Sequence, residues 1–470
     1  VDGLLYGCQD SEFAPEIVDR SKDEAGAGVV EPLSLCIVFH HAVFWQNFCY
    51  PFSSGLSRPT AGATTTHREG AMKSKPRTSA APVPLPRLLD ESNDFTREEK
   101  LCVGKAEAGS AIIHGENLAV LDSLGEAIKG RVKCVYIDPP YNHAEVYRHY
   151  DDRLGRRVWL DRMTHRMKAL KETLTVDGSL WVSIDDSELH NLRQIGDEVF
   201  QPENFISSVV WNHRKTRENR RPFSTNHEYI LCFAKNAEAF KRSRNLLDAP
   251  PEILSRYKNP DNDPRGAWQS VSANVQDGHA TQSQFYTLIA PNGRLHHPPK
   301  GRCWVYNKPK MEAEIRAGRV YFGRDGNAVP RIKKYLSGAK IGVAPSTLWM
   351  ADEVGTTDSA KKHLMALLTK EAVFDTPKPE GLVQRILHIA SNPGDLVLDA
   401  YLGSGTTASV AMKMGRDFLG IEQGPHIATH CVKRLQAVHD GEAGGISPLV
   451  GWKGGGGCAF YSHRSKLTRI

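Results

Sequence analysis

The chain has 470 residues, 40% of them hydrophobic, with 60 Lys and Arg against 54 Asp and Glu for a formal net charge of +6. This length exceeds one ordinary domain and the apolar content is enough for a sizeable core, which excludes a disordered tail or a small disulfide-stapled scaffold. The mild basicity permits a nucleic-acid partner without demonstrating one.

Residues 1–95 predict no domain. No methionine precedes Met72, and residues 72–95 form a basic, Pro-rich tail, so this stretch reads as a disordered or non-native extension with little ordered structure before about residue 96. Its longest apolar run, residues 36–52, contains His40, His41, Gln46 and Asn47 and is too short and polar to span a membrane. It also lacks the basic start of a signal peptide.

Residues 132–137 predict a strand, carried by Val132, Val135, Tyr136 and Ile137. Asp138-Pro139-Pro140-Tyr141 must end it, because each proline fixes φ and removes a donor. Ligands of open α/β sheets sit beyond the carboxyl ends of strands. An Asp, a bare prolyl carbonyl and a Tyr there suit a planar amine. The Asp138 carboxylate and the Pro139 or Pro140 carbonyl would grip the two amine hydrogens, and Tyr141 would stack on the ring, which is worth about 1–3 kcal/mol for a nucleobase. An ordinary Pro-rich turn is the competing reading.

Downstream, Trp159, Leu160, Met163, Met167 and Leu170 predict a helix, and residues 178–186 a core strand ending in Asp185 and Asp186, which read as turn residues or, the favoured reading, as helix caps. The densest basic run follows at residues 213–221. Lys215, Arg217, Arg220 and Arg221 are candidate phosphate contacts on a flexible loop, the alternative being a solvated face. From about 236 to 355 Pro, Gly, Asn and aromatic residues interleave with Lys and Arg, predicting short strands and loops, with a hairpin arm at residues 318–323.

Thr376 predicts an N-cap, with Pro377 in the first turn and Leu382, Val383, Ile386, Leu387 and Ala390 on one helix face. Its free N–H groups offer a place for a carboxylate. Residues 396–407 predict a strand entering a Gly403-x-Gly405 loop, then a helix ending near Gly415 and a strand over 416–422 that closes on Glu422. Such a βαβ unit binds nucleotides, the acid holding ribose hydroxyls. The P-loop template fails for want of a lysine after Gly405, whereas the dinucleotide fingerprint survives because Ala408 stands at its third position. The glycines at 454–457, flanked by Trp452 and Phe460, read as a docked turn. Nine cysteines without a CxxC pair indicate neither a zinc site nor a disulfide framework, and His296-His297 near Cys303 is too little for a metal.

Together, Asp138-Pro139-Pro140-Tyr141 and Tyr401-Leu402-Gly403-Ser404-Gly405 resemble the catalytic and cofactor motifs of S-adenosylmethionine-dependent DNA amino-methyltransferases. The catalytic motif comes first, as in the β group. The stretches at 114–118, 224–229, 375–379 and 451–457 are similar to the modification (Mod) subunit of type III restriction-modification systems, and the resemblance covers about residues 110–462. Tyr401 in place of Phe and Glu116 in place of Asp are its small departures.

The resemblance implies a doubly wound, Rossmann-like α/β methyltransferase sheet with circularly permuted motif order. A catalytic half at 96–235 and an S-adenosylmethionine-binding half at 356–470 would flank a target-recognition insertion at 236–355. Asp138, Pro139, Pro140 and Tyr141 would hold the target base. Asp399, Gly403, Gly405 and Thr406 would line the methionine end of S-adenosylmethionine, with Glu422 on its ribose and Thr376 and Lys378 leading a helix over it. The implied activity is transfer to adenine N6 in flipped double-stranded DNA. Cytosine N4 is the alternative target, and a nicotinamide-dependent oxidoreductase the more distant reading. A restriction (helicase-nuclease) subunit, a homodimer and the bacterial cytoplasm are the implied partner, assembly and location.

Overall fold

The computed structural model describes residues 83–107, 109–143, 154–220, 222–338, 341–368 and 374–464. Residues 1–82, including the apolar run at 36–52, lie outside them. Regular structure starts earlier than the sequence suggests, with a helix at Leu85–Asp90 (α1) that buries Leu85 and Leu89. Tyr461 anchors it, its hydroxyl donating to Pro86 O at 3.0 Å and standing 2.9 Å from Asp90 Oδ1.

The main sheet uses Phe95–Arg97 (β1), Ala111–His114 (β2), Val132–Ile137 (β3), Leu174–Ile184 (β4), Phe205–Trp211 (β5), Glu228–Ala234 (β6), Leu348–Trp349 (β7), Leu396–Asp399 (β8), Asp417–Glu422 (β9) and Gly457–His463 (β10). Their spatial order is β1-β10-β2-β9-β8-β3-β4-β6-β5-β7. From β10 to β4 the pairing is parallel, and β6 then runs antiparallel to both β4 and β5. A central parallel strand is covered on both faces, so it reads as continuous apolar sequence. All six residues of β3 are accordingly buried.

An irregularity between Val132 and Cys134 interrupts the alternation in β3, and from Cys134 onward side-chain alternation sorts the two faces. Val132, Val135 and Ile137 pack with residues of Asn117–Ile128 (α2), Arg156–Thr173 (α3) and Leu189–Phe200 (α4). Cys134 and Tyr136 instead join residues of Glu380–Ala390 (α5), Thr406–Lys413 (α6) and Val432–His439 (α7). The sheet is doubly wound, as expected. From β3 the chain moves to β4 on one side, and from β8 to β9 on the other. The adjacent carboxyl ends of β3 and β8 therefore form the switch point where such sheets bind ligands.

The insertion has its own core of Ala273, Leu288, Trp304, Met311, Val320, Phe322 and Ile332. A three-stranded sheet of Trp268–Ser272, Val320–Tyr321 and Arg331–Tyr335 supports it, so residues 318–323 do enter a hairpin, and two helices, the short Pro251–Leu254 and the longer Lys308–Arg316, stand among the expected short strands. Its neck is the antiparallel bridge between Leu247 and Val343. The bounds of 236 and 355 are thus too wide. Phe240 is buried in the main core, and β7 completes the main sheet beside β5.

Residues 454–457 form the expected docked turn, with Trp452 Nε1 donating to Val438 O at 2.8 Å. The sharpest packing constraint lies in α4, where a Cβ on Gly196 would stand 2.0 Å from the ring of Phe233. Phe233 is fully buried and stacks on Phe200 at 5.5 Å, so it has no room to retreat. Gly196→Ala is expected to destabilise the protein by about 1–3 kcal/mol in denaturant unfolding through overpacking, despite alanine's higher helix propensity. Unchanged or increased stability would show that the ring moves aside.

Candidate active site

Strand β3 delivers Asp138 to the switch point, and the prolines turn the chain sharply. Asn142 completes the turn at a φ of 62°, a left-handed conformation that Asn tolerates better than most residues. The Pro140 carbonyl accepts from Trp159 Nε1 at 2.8 Å. Among the described residues none donates to the Pro139 carbonyl. Of the two carbonyls that the motif offers, Pro139's is the available acceptor.

Asp138 sits in a four-residue cluster. Lys378 Nζ reaches both of its oxygens, at 2.7 and 2.6 Å, and the Tyr141 hydroxyl stands 2.9 Å from Oδ1. Glu228, from the start of β6, is 3.0 Å from the same hydroxyl and 3.7 Å from Lys378 Nζ. These contacts use three of the roughly four lone-pair sites of the Asp138 carboxylate, and the remaining one is on Oδ2. Burial alone would lower the Lys378 ammonium, but Asp138 and Glu228 outweigh it and hold the group well above its ordinary value. Burial, reinforced by the same two carboxylates, pushes the Tyr141 phenol far up.

The position of Lys378 corrects the expectation that Thr376 caps a helix with Lys378 in its first turn. Proline disfavours helical geometry in the residue before it, so Pro377 and Pro379 keep Thr376 and Lys378 extended. Helix α5 starts only at Glu380, with Pro379 at its N-cap. Nor is its first turn open to a ligand carboxylate. Glu380 is buried there between Lys413 at 2.7 Å and Arg434 at 3.0 Å. The stretched segment delivers Lys378 to the catalytic cluster, and its carbonyl accepts from Thr406 Oγ1 at 3.1 Å.

Beside this cluster, β8 brings Asp399 and β9 brings Glu422 to the sheet edge. Gly403 adopts a φ of 53°, which lets its N–H donate to Glu422 Oε2 at 2.9 Å, while Gly424 N–H takes Oε1 at 2.8 Å. Burial would raise the Glu422 carboxyl, yet His426 and these two amides hold it below its usual range. Asp399 behaves oppositely. It accepts from Thr407 Oγ1 at 2.6 Å and Tyr401 N at 2.9 Å, but burial, with repulsion from Asp138 and Glu422, pushes its carboxyl up to about 7.

One cavity of about 1830 Å³ unites these groups: Asp138, Pro139, Pro140, Tyr141, Thr376, Lys378, Asp399, Gly403, Thr406 and Glu422 all line it. Gly405 does not. Its φ of 80° turns the loop from below, where a Cβ would crowd Cys431 at 3.3 Å. Of the basic run, Lys215 lines the cavity and pairs with Asp352. Arg217 and Arg220 are exposed outside it, Arg220 bonding Glu218 at 3.1 Å, and Arg221 lies outside the described residues.

Three other groups in the cavity wall escape the sequence reading. Glu228 lies in the 224–229 stretch, where it has no assigned role. Asn117 bridges Ala400 O at 2.8 Å and Arg166 Nε at 2.7 Å, holding the start of the glycine motif against α3. Asp185 caps no helix. It accepts from Ser187 N at 2.9 Å and from His143 Nδ1 at 3.0 Å, closing a turn on the cavity wall. A metal-like grouping of His363, Glu380 and Glu442 occurs elsewhere among the described residues, with Lys413 Nζ between its two carboxylates as their counter-ion.

The profile of the DNA methylase family matches residues 132–433, from β3 through the glycine loop and β9 into α7. The chain belongs to the DNA methylase family. The nicotinamide reading falls with that assignment. The chain is 29% identical to the probable type III restriction-modification enzyme HindVI Mod subunit of Haemophilus influenzae, over 79% of this chain and 57% of that protein. It is 31% identical to the StyLTI Mod subunit of Salmonella typhimurium, over 64% of this chain and 50% of that one. The chain thus spans about half the length of the curated relatives it matches. A solved structure, a putative DNA modification methylase of Thermus thermophilus complexed with S-adenosyl-L-methionine, aligns with a TM-score of 0.34 and 16% identity over 68% of this chain and 92% of that one.

Asp399 makes the site sensitive to pH in a definite direction. Its folded-state value of about 7 lies above the ordinary carboxyl value of 3.8, so the folded state favours the protonated form. The stabilisation this provides is complete below the ordinary value and is lost as pH rises through the folded one. In thermal melts of the ligand-free protein, Asp399→Asn is expected to remove part of the fall in midpoint between about pH 5 and pH 8. An identical pH profile in the variant would show that Asp399 is ionised throughout.

Proposed function

We propose that the chain is a site-specific DNA methyltransferase that moves a methyl group from S-adenosylmethionine to the exocyclic N6 amino group of adenine in double-stranded DNA. The observation that carries this reading is the shared cavity. Two convergent acceptors, Asp138 Oδ2 and the Pro139 carbonyl, face the same space as the Gly403–Glu422 cradle. Ligand pockets usually enclose about 300–1,000 Å³, so a cavity of about 1830 Å³ has room for a cofactor and an extruded base together.

Electrostatics supports the choice of cofactor. Asp138, Asp399, Glu422 and Glu228 border the cavity with one buried ammonium, Lys378, among them, and mutual repulsion contributes to the raised Asp399 carboxyl. A ligand with a cationic centre relieves that excess, whereas the pyrophosphate of a dinucleotide would add to it. S-adenosylmethionine, when bound, supplies a methyl group on a positively charged sulfur. Glu422 would hold its ribose, with Asp399, Gly403 and Thr376 around the remainder.

The chain's own residues prepare the amine. An adenine amino group is a poor nucleophile because its lone pair is delocalised into the ring. Accepting one amine hydrogen at Asp138 Oδ2 and the other at the Pro139 carbonyl pulls the nitrogen towards tetrahedral geometry and localises that pair. Lys378 holds both oxygens of the Asp138 carboxylate in place, and Tyr141, tethered through its hydroxyl, offers its ring to the base. Positioning of this kind, in a site that excludes bulk water, carries most of the rate. The nitrogen gains a methyl group and sheds one proton once transfer is complete.

The Mod relatives are subunits of type III restriction-modification enzymes, which supports a restriction-subunit partner, and the proposal further includes adenine over cytosine N4, a homodimer and a bacterial cytoplasmic location. Among the described residues no helix is long and apolar enough to cross a membrane. Methylation-sensitive sequencing of DNA from bacterial cells expressing the full chain is expected to show N6-methyladenine at one short recurring sequence. N4-methylcytosine there would reassign the base, and unmodified DNA would end the reading. In calorimetric titration with S-adenosylhomocysteine, Glu422→Ala should weaken binding about ten- to a hundredfold, the worth of a hydrogen bond to a charged group. Equal affinity of variant and parent would displace Glu422 from the cofactor site.

A further inference from the structure

The basic segment between β5 and β6 is a built loop. Asn226 Nδ2 donates to Arg214 O at 2.8 Å and Thr216 O at 2.9 Å, and Asn212 Nδ2 donates to Asn226 O at 2.9 Å. Higher up, Glu218 N donates to Ser224 Oγ at 2.8 Å and ties the two legs together. Both legs line the cavity, through Thr216 and Glu218 on one side and Thr225 and His227 on the other. At the tip stands Phe223, 88% exposed, more than any other large hydrophobic residue among those described.

An aromatic side chain at that exposure gains nothing from the fold, since burial is what stabilises such a group. The position is specific. Successive Cα atoms are about 3.8 Å apart, so Phe223 is one residue above the Glu218–Ser224 tie and within roughly 7 Å of Thr225 on the cavity rim. On the same loop the Arg220 side chain is 92% exposed and paired with Glu218, and Lys215 at the foot of the loop is paired with Asp352, so two exposed basic side chains share the loop with an apolar tip. A protruding ring on a loop that also carries basic side chains matches stacked bases between two phosphate strands, where apolar wedges enter and unstack a step.

We propose that Phe223 is a wedge that enters the DNA base stack beside the target and fills the gap left when that base turns into the cavity. The inference rests on the methyltransferase reading and deepens it. Extruding a paired base costs stacking and pairing free energy, least for a mismatched base. Phe223 restores stacking to the opened step, while Tyr141, inside the cavity, receives the base that has left it.

The test uses the full chain, S-adenosylmethionine and two duplexes carrying the sequence mapped above, one with the target base paired and one with it mismatched. On the paired duplex, Phe223→Ala is expected to lower kcat/KM about ten- to a hundredfold, the size of a lost base-stacking contact. On the mismatched duplex it should come within about threefold of the parent, because the opening it assists is already inexpensive. Phe223→Trp should retain activity on both. Full activity of Phe223→Ala on the paired duplex, or an equal loss on both duplexes, would overturn the wedge. A parent protein that methylates neither duplex would instead refute the methyltransferase reading.

Discussion

The ion pair between Lys378 and Asp138 joins segments 240 residues apart and organises the whole site. A buried pair of this kind is a weak source of net stability, because desolvation cancels much of the attraction. Its value lies in placement. The two carboxylates near Lys378 hold one cation, and that cation fixes the orientation of the Asp138 carboxylate. Through Thr406 the Lys378 backbone is also bound to the glycine loop, so the cradle for a cofactor and the acceptor for a substrate are two ends of one short connection.

Topology makes this economy achievable. The carboxyl ends of β3 and β8 are neighbours because the sheet is wound outward in both directions from between them. Asp138 and Asp399 therefore arrive side by side, although their motifs are distant in sequence. Burial, with a smaller contribution from the nearby Asp138, raises the Asp399 carboxyl, a degree of frustration typical of sites that await a charged ligand. The loop between β5 and β6 lines one side of the cavity, and the insertion leaves the main body at the Leu247–Val343 neck.

Much of this was legible in the chain. The β-branched run before Asp138 and the strand, glycine loop, helix and acid around Gly403 are local patterns, and the doubly wound sheet is what the family resemblance carried by those motifs implied. What escaped was non-local or depended on proline chemistry. Thr376-Pro377 resembles a helix start, yet the second proline, Pro379, delays the helix to Glu380 and turns Lys378 from a cofactor neighbour into the partner of Asp138. Glu228 carries no local signal beyond its place at the head of a strand, and only the antiparallel return of β6 beside β4 brings it to Tyr141. The early helix α1 was hidden because its anchor, Tyr461, comes at the far end of the chain.

The account depends on Asp138 acting as the acceptor that prepares a nucleobase amine. The most direct measurement is incubation of the full chain with DNA and S-adenosylmethionine tritiated on its methyl group, followed by separation of the product nucleosides. The structure predicts label in N6-methyladenine for the parent protein and none above background for Asp138→Ala, with binding of S-adenosylhomocysteine retained. Label that persists undiminished in Asp138→Ala would contradict the account.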